Sequence, residues 1–251
     1  MLILKSLAEI ESMRKCARLA AEVLAGMGKM AKAGIKTAEL DRYGNSLIIE
    51  KGAKSAFKGY RGYPANTCIS INEEVVHGIP SERKLKEGDI VSLDVGVLKD
   101  GFYGDVAATF PVGRISEGAG KLVSVTKECL AAAIEKVTTA NRMGDVSFAV
   151  QSLAEKNGYS VVRAFTGHGI GRSLHEDLQV PNFGKPGTGI RLQDGMTFCI
   201  EPMVNAGVFD VVIGKDEWTV TTKDKKLSAH FEATVAIVDG RAQVLTDIGS
   251  N

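Results

Sequence analysis

The chain has 251 residues, with 31 Lys and Arg against 30 Asp and Glu and a formal net charge of +1. Hydrophobic residues make up 44%, enough for a sizeable core, and the even charge balance argues against nucleic acid or an anionic membrane as the main partner. Cys16, Cys68, Cys129 and Cys199 are too widely spaced for a zinc knuckle or a disulfide framework, and MLILKSLAEIES has too short an apolar run for a signal-peptide core or a membrane span. The expectation is a reduced, cytoplasmic protein.

Ser6 and Glu9 form a capping-box pattern, and Ile10, Met13, Ala17, Ala20, Leu24 and Met27 recur at steps of three and four. This predicts an amphipathic helix over about 7–31. Thr37 is the expected cap of a second helix with Leu40, Tyr43, Leu47 and Ile48 on one face, ending at Gly52. Residues 67–77 and 89–97 read as strands, and Lys99-Asp100-Gly101 reads as a reversal into a strand carrying Asp105. A second helix pair is expected over 118–138 and 144–157, the latter ending at Asn157-Gly158. Strands follow near 160–166, 196–204, 217–222 and 229–238. The order helix, helix, strands thus occurs twice. Leu40/Val146 and Leu47/Leu153 share the offset between Gly52 and Gly158, which points to an internal duplication with low residue identity. The Gly/Pro-rich stretch 180–190 reads as a surface loop beside the site.

Four acids sit in apolar, strand-like settings: Asp94 in IVSLDVGV, Asp105 in FYGDVAATF, Glu201 in CIEPMV and Glu232 in HFEATVAI. A carboxylate in such a setting cannot stay ionised without a strong partner. A reversal at Lys99-Asp100 pairs residue 94 roughly with 105, so both acids point to one sheet face and repel unless a divalent cation lies between them. The bland alternatives are a solvated acid in a shifted register, or a salt bridge to a core Arg or Lys; those cations are scarce beside these strands. His77 lies at a strand end before Gly78-Ile79-Pro80; His168 lies within the cluster Gly167–Gly171 and His175 just after it, and these glycines argue against a helix and permit close backbone approach to a ligand. His230 takes the reading of an ordinary strand side chain. No Gly-x-Ser-x-Gly occurs, the glycine cluster lacks a phosphate-loop pattern, and nothing local activates Cys68 as a nucleophile.

Four carboxylates and one imidazole offer too many donor atoms for one tetrahedral zinc with an open position. They suit two divalent ions with bridging acids, an acidified water as nucleophile, and the remaining histidines as donors to the substrate. Bottom-up, this is a dinuclear metallohydrolase.

The ordered motifs GYRGYPANTCISINEEVVHGIP, DVGVLKDGFYGDVAATFPVG, GHGIGRSLHE, GMTFCIEPMVNAG and WTVTTKDKKLSAHFEATV resemble those of the type I methionine aminopeptidases of the pita-bread peptidase family, over nearly the whole chain. The resemblance implies an α+β pita-bread fold: one catalytic domain over 1–251, with pseudo-symmetric halves of about 1–113 and 114–251 around a curved, mostly antiparallel sheet. It implies removal of the initiator methionine from nascent chains with a small second residue. Asp94, Asp105, His168, Glu201 and Glu232 would be the metal ligands, with Glu201 also handling the proton of the attacking water. His175 would hydrogen-bond the scissile peptide group, His77 would contact substrate beside it, and Tyr60, Tyr63, Cys68 and Trp218 would line the methionine pocket. Cobalt, manganese, iron and zinc all fit this ligand set. The resemblance also implies a monovalent cation near Asn72, Glu74 and Ser228, and a monomer, with ribosome contact as a further partner. Leu174 stands where many relatives have Phe, and Ala233 where His is common. An X-Pro dipeptidase on the same fold usually carries a further N-terminal domain, and a non-catalytic binding module would have lost the ligands. With Leu2 as its own second residue, the chain is expected to keep Met1.

Overall fold

The computed structural model describes residues 2–247; Met1 and residues 248–251 lie outside the described residues. The chain runs α1 (Leu7–Met30), α2 (Thr37–Glu50), β1 (Lys54–Ser55), β2 (Cys68–Ile71), β3 (Glu74–Val76), β4 (Ile90–Lys99) and β5 (Phe102–Pro111). Then come α3 (Glu117–Glu135), α4 (Met143–Lys156), β6 (Ser160–Val161), β7 (Gly167–Gly169), β8 (Glu176–Val180), β9 (Thr197–Ile200) and β10 (Met203–Asn205). It closes with β11 (Val211–Ile213), β12 (Val220–Thr222), β13 (Ser228–His230), β14 (Glu232–Val238) and β15 (Arg241–Val244).

α1 starts at a true capping box: the Glu9 amide donates to Ser6 Oγ at 3.3 Å, and the Ser6 amide donates to Glu9 Oε2 at 3.0 Å. Its apolar stripe lies on the β4–β5 hairpin, and Gly104 permits the approach, since a Cβ there would stand 2.7 Å from Ala17 Cα. Thr37 is not the cap of α2. Lys36 holds that position, its amide bonded to Glu39, while the Thr37 hydroxyl is drawn away to Ser81.

A nine-stranded antiparallel sheet runs β1-β4-β5-β14-β9-β7-β8, with β2 on β4 and β15 on β14. Two small three-stranded sheets, β13-β10-β6 and β11-β12-β3, flank it. α1 and α2 pack on the first half of the sheet around Leu40, Val91, Leu93 and Val95, and α3 and α4 on the second around Leu122, Val146, Phe198 and Val235. The order of elements repeats as expected, and Gly52 and Gly158 both end their helices with positive φ, 66° and 82°.

Several expected strands are shorter or broken. Residues 67–77 bend at Asn72, whose φ is 58°. Residues 196–204 break at Glu201-Pro202, and 229–238 breaks at Phe231. Each interruption lies beside an acid or a polar turn, where the ladder gives way to side-chain placement. Of the stretch 160–166 only Ser160–Val161 is strand, while β1, β7, β8, β11 and β15 were not expected as strands.

Candidate metal centre

The hairpin register decides where the acids fall. The tight turn is Asp100-Gly101, both with positive φ, so Lys99 pairs with Phe102 and the ladder is displaced from the expected one. Asp94 stands opposite Ala107, and Asp105 opposite Gly96. The shift is an even number of residues, so both carboxylates still face the same side, as diagonal rather than direct neighbours.

The remaining groups fall on two adjacent rungs of the same face. Along one rung, Cys68 pairs with Asp94, Asp94 with Ala107, and Ala107 with Glu232. Continuing the β9–β14 register by one residue brings Glu201 opposite Glu232. Along the next rung, Gly96 pairs with Asp105, and Thr234 pairs with Cys199. The Thr234 hydroxyl joins the two pairs by donating to the Asp105 carbonyl at 2.8 Å. Continuing the β7–β9 register places His168 beside Cys199. The face that carries these groups borders open space.

That space is a cavity of about 250 Å³. Asp94, Asp105, His168, Glu201 and Glu232 line it together with His77, His175, Tyr60, Tyr63, Cys68 and Trp218, so every expected ligand and pocket residue borders one chamber. Leu174 is buried in its wall. One donor atom each from Asp105, His168, Cys199 and Glu232 lies within 4.8 Å of all the others. His168 Nε2 is 3.9 Å from Asp105 Oδ2 and 3.8 Å from Glu201 Oε1. Its Nδ1 is bonded to the Gly169 carbonyl at 3.0 Å, which requires the proton on Nδ1 and leaves Nε2 with a free lone pair toward the acids.

The electrostatics of this chamber are severe. Burial raises the carboxyl of Asp94 well above its ordinary range, with Asp105 and Glu232 adding repulsion. Burial pushes Asp105 up to about 7; burial also raises Glu201 and Glu232, and these two are raised further by neighbouring acids. Burial lowers His77 and His168 to about 4, and His175 to about 3 with help from His168. Among the described residues no Arg or Lys forms an ion pair with any of the four acids, so the salt-bridge alternative does not hold. Asp94 Oδ1 and Glu232 Oε1 are buried with no hydrogen-bond partner. Hard oxygen donors, a free imidazole nitrogen and orphaned carboxylate atoms on one face fit divalent cations.

Around the acids, His175 Nδ1 is 2.7 Å from the Tyr60 hydroxyl, and its ring stacks edgewise on His168 with centroids 4.0 Å apart. His77 is held in the left-handed region at φ 61°, with its ring edge-on to Phe165 and Trp218. Trp218 packs edge-on against Tyr63, whose hydroxyl donates to the Thr67 and Gly78 carbonyls. The expected loop beside the site reaches it through Asn182, which donates to the Glu201 carbonyl at 2.9 Å. Asn72 and Ser228 also meet, the Ser228 amide donating to the Asn72 carbonyl at 2.8 Å. The Glu74 carboxylate there is already bonded to the Ile71 amide and to Arg83.

Sequence reasoning missed Cys199 and Phe165. The alternation of β9 puts Cys199 on the same side as Glu201, and that signal was readable; nothing local marks Phe165. It also read His230 as an ordinary strand residue, whereas its Nε2 is buried without a partner, 4.0 Å from Glu201 Oε2.

A fold with two helix pairs on one antiparallel sheet, and a buried acid–histidine cluster at its centre, is that of a metallopeptidase: residues 11–239 match metallopeptidase family M24, to which the chain belongs. It is 49% identical to the methionine aminopeptidase of Clostridium acetobutylicum over 98% of this chain and 99% of that protein. It is 46% identical to the Escherichia coli K12 methionine aminopeptidase over 97% of this chain and 93% of that one. Within the family it therefore groups with the methionine aminopeptidases. The solved structure of the Rickettsia prowazekii methionine aminopeptidase superposes with a TM-score of 0.97 at 41% identity, covering 98% of this chain and 100% of that one. The Thermotoga maritima methionine aminopeptidase gives 0.96 at 45% identity, covering 98% and 100%. The pita-bread fold extends to a prolidase from Pyrococcus furiosus at TM-score 0.80 and 22% identity, where 99% of this chain matches 66% of that one. That likeness concerns the fold alone.

Proposed function

We propose that this chain removes the N-terminal methionine from nascent polypeptides and peptides whose second residue is small, working as one catalytic domain with halves joined near residue 113. The reading rests above all on five donors, Asp94, Asp105, His168, Glu201 and Glu232, sharing one buried sheet face with orphaned carboxylate oxygens. Two divalent ions held by these residues would supply Lewis acidity and an acidified water. Their identity among cobalt, manganese, iron and zinc follows availability. A monovalent cation beside Asn72, Glu74 and Ser228 belongs to the same reading.

Glu201 takes the proton from the attacking water and delivers it to the departing amine. His175, oriented by Tyr60, donates to the scissile peptide group as charge develops on it. His77 holds the substrate beside that bond. Tyr60, Tyr63, Cys68 and Trp218 form a wall of rings and sulfur suited to a thioether side chain. A bulky second residue is rejected by collision with the chamber wall, and repulsion discriminates better than a missing methylene does. The setting is the cytoplasm, the protein a monomer, and its substrates emerge from the ribosome. None of its helices is long and apolar enough to cross a membrane among the described residues.

The deciding assay compares Met-Ala-Ser with Ala-Pro after metal reconstitution. Methionine release from the tripeptide alone is the expected result. Turnover of Ala-Pro alone would replace this reading with an X-Pro dipeptidase, and absence of both metal and turnover with a binding module.

A further inference from the structure

His230 is a buried ring that the proposed chemistry leaves unused. It ends β13 and is 2% exposed. Its backbone is pinned on both sides by Thr109 Oγ1, which accepts from the His230 amide at 2.9 Å and donates to its carbonyl at 2.9 Å. The ring therefore has a fixed origin. Its Nε2 is buried without a hydrogen-bond partner and points at Glu201 Oε2, 4.0 Å away. A buried polar nitrogen with no partner costs about 1–3 kcal/mol. An orphan of this kind beside a carboxylate calls for a partner that is engaged only in the working state.

The two oxygens of Glu201 are already divided between two rings. Oε1 lies toward His168 Nε2 at 3.8 Å, and Oε2 toward His230. Glu201 itself sits between β9 and β10, one residue past the end of β9. We propose that His230 is a positioning residue for Glu201: its Nε2–H donates to Oε2 of the ionised carboxylate and leaves Oε1 turned toward the cation site. The inference rests on the role given to Glu201 above. The contact closes by about 1 Å to reach ordinary N–H···O length, within the range of a side-chain rotation. It separates holding from reacting: one oxygen is tethered and the other faces the cation and the water.

The test uses His230→Leu, of similar bulk without a donor, and His230→Gln, which restores an N–H. Metal-free protein is titrated calorimetrically with Mn²⁺, and kcat and KM are measured on Met-Ala-Ser. For His230→Leu, Mn²⁺ affinity and kcat should each fall about tenfold to a hundredfold, with KM near wild type. His230→Gln should recover most of both. Wild-type behaviour of His230→Leu, or equal impairment of the two variants, overturns the inference; the second result would mean that the ring itself is a ligand. If the Leu variant does not fold, His230→Ala with added imidazole replaces it: recovered Mn²⁺ affinity supports the tether, and no recovery overturns it. Glu201→Ala run in parallel separates the two levels. An inactive Glu201→Ala beside a normal His230→Leu rejects only the tether, whereas an active Glu201→Ala rejects the site assignment.

Discussion

Asp105 is the carboxyl whose surroundings lend themselves most directly to a stability experiment. Its folded-state pKa stands at about 7 against 3.8 for the free side chain, chiefly through burial. A carboxyl raised in this way supports the fold fully below its unfolded value, and the contribution is lost as pH climbs through the folded one. His168 slopes the other way: depressed from 6.5 to about 4, it contributes above its unfolded value and is lost as pH falls through about 4. The wild-type profile therefore mixes opposed slopes, and a difference measurement isolates one of them. In metal-free protein, Asp105→Asn should melt above wild type, and the gap should widen from pH 4 to pH 7, by about 2–4 °C for each kcal/mol relieved. The same variant should fail to take up Mn²⁺ in calorimetry. A gap that narrows with pH would mean that Asp105 is not the strained group. His77 carries a second cost, since its left-handed φ of 61° is unfavourable for a side chain by about 1–2 kcal/mol. His77→Gly should relieve that strain and lose activity together, measured by thermal melting and methionine release; unchanged activity would remove His77 from the site.

At the level of elements, helices and turn residues were readable because their signals are local. The Ser6–Glu9 box, the stripe from Ile10 to Met27 and the glycine helix ends need only neighbours in sequence. The hairpin was readable too, but its register depended on which two residues take positive φ, and Lys99-Asp100 was the wrong pair. The error was even-numbered, so the shared face of Asp94 and Asp105 survived it. What could not be read was the rung structure. β7, β9 and β14 meet only after the chain has folded, so the placement of Cys199 opposite Thr234, or of His230 behind Glu201, has no local signature. Packing of α1 on the hairpin offers a direct test. Gly104→Ala would drive a methyl into the Ala17 backbone, which cannot yield as a side chain would. Urea denaturation should show a loss of about 1–3 kcal/mol, and a neutral result would mean that α1 lies farther from β5.

At the scale of the whole molecule, the proposed ligands come from both halves: Asp94 and Asp105 from the first hairpin, His168, Glu201 and Glu232 from segments after α4. A cation bound among them ties the halves together and binds only the folded state. Stability should then rise by about 2.7 kcal/mol at a hundredfold excess over Kd, seen as a rise in Tm of about 5–11 °C. EDTA should reverse it. A melting temperature indifferent to metal would separate the acids from any cation role.

The central strand β14 lies between β5 and β9, and it is also the last segment in chain order to carry a proposed ligand. During translation, everything through Phe231 can leave the ribosome while Asp94 and Asp105 still wait for their counterpart. The donor ring closes only when this late strand slots between its two neighbours. On the proposed ligand set, catalytic competence waits for β14, and a copy that has not yet reached Glu232 can trim no chain, its own included.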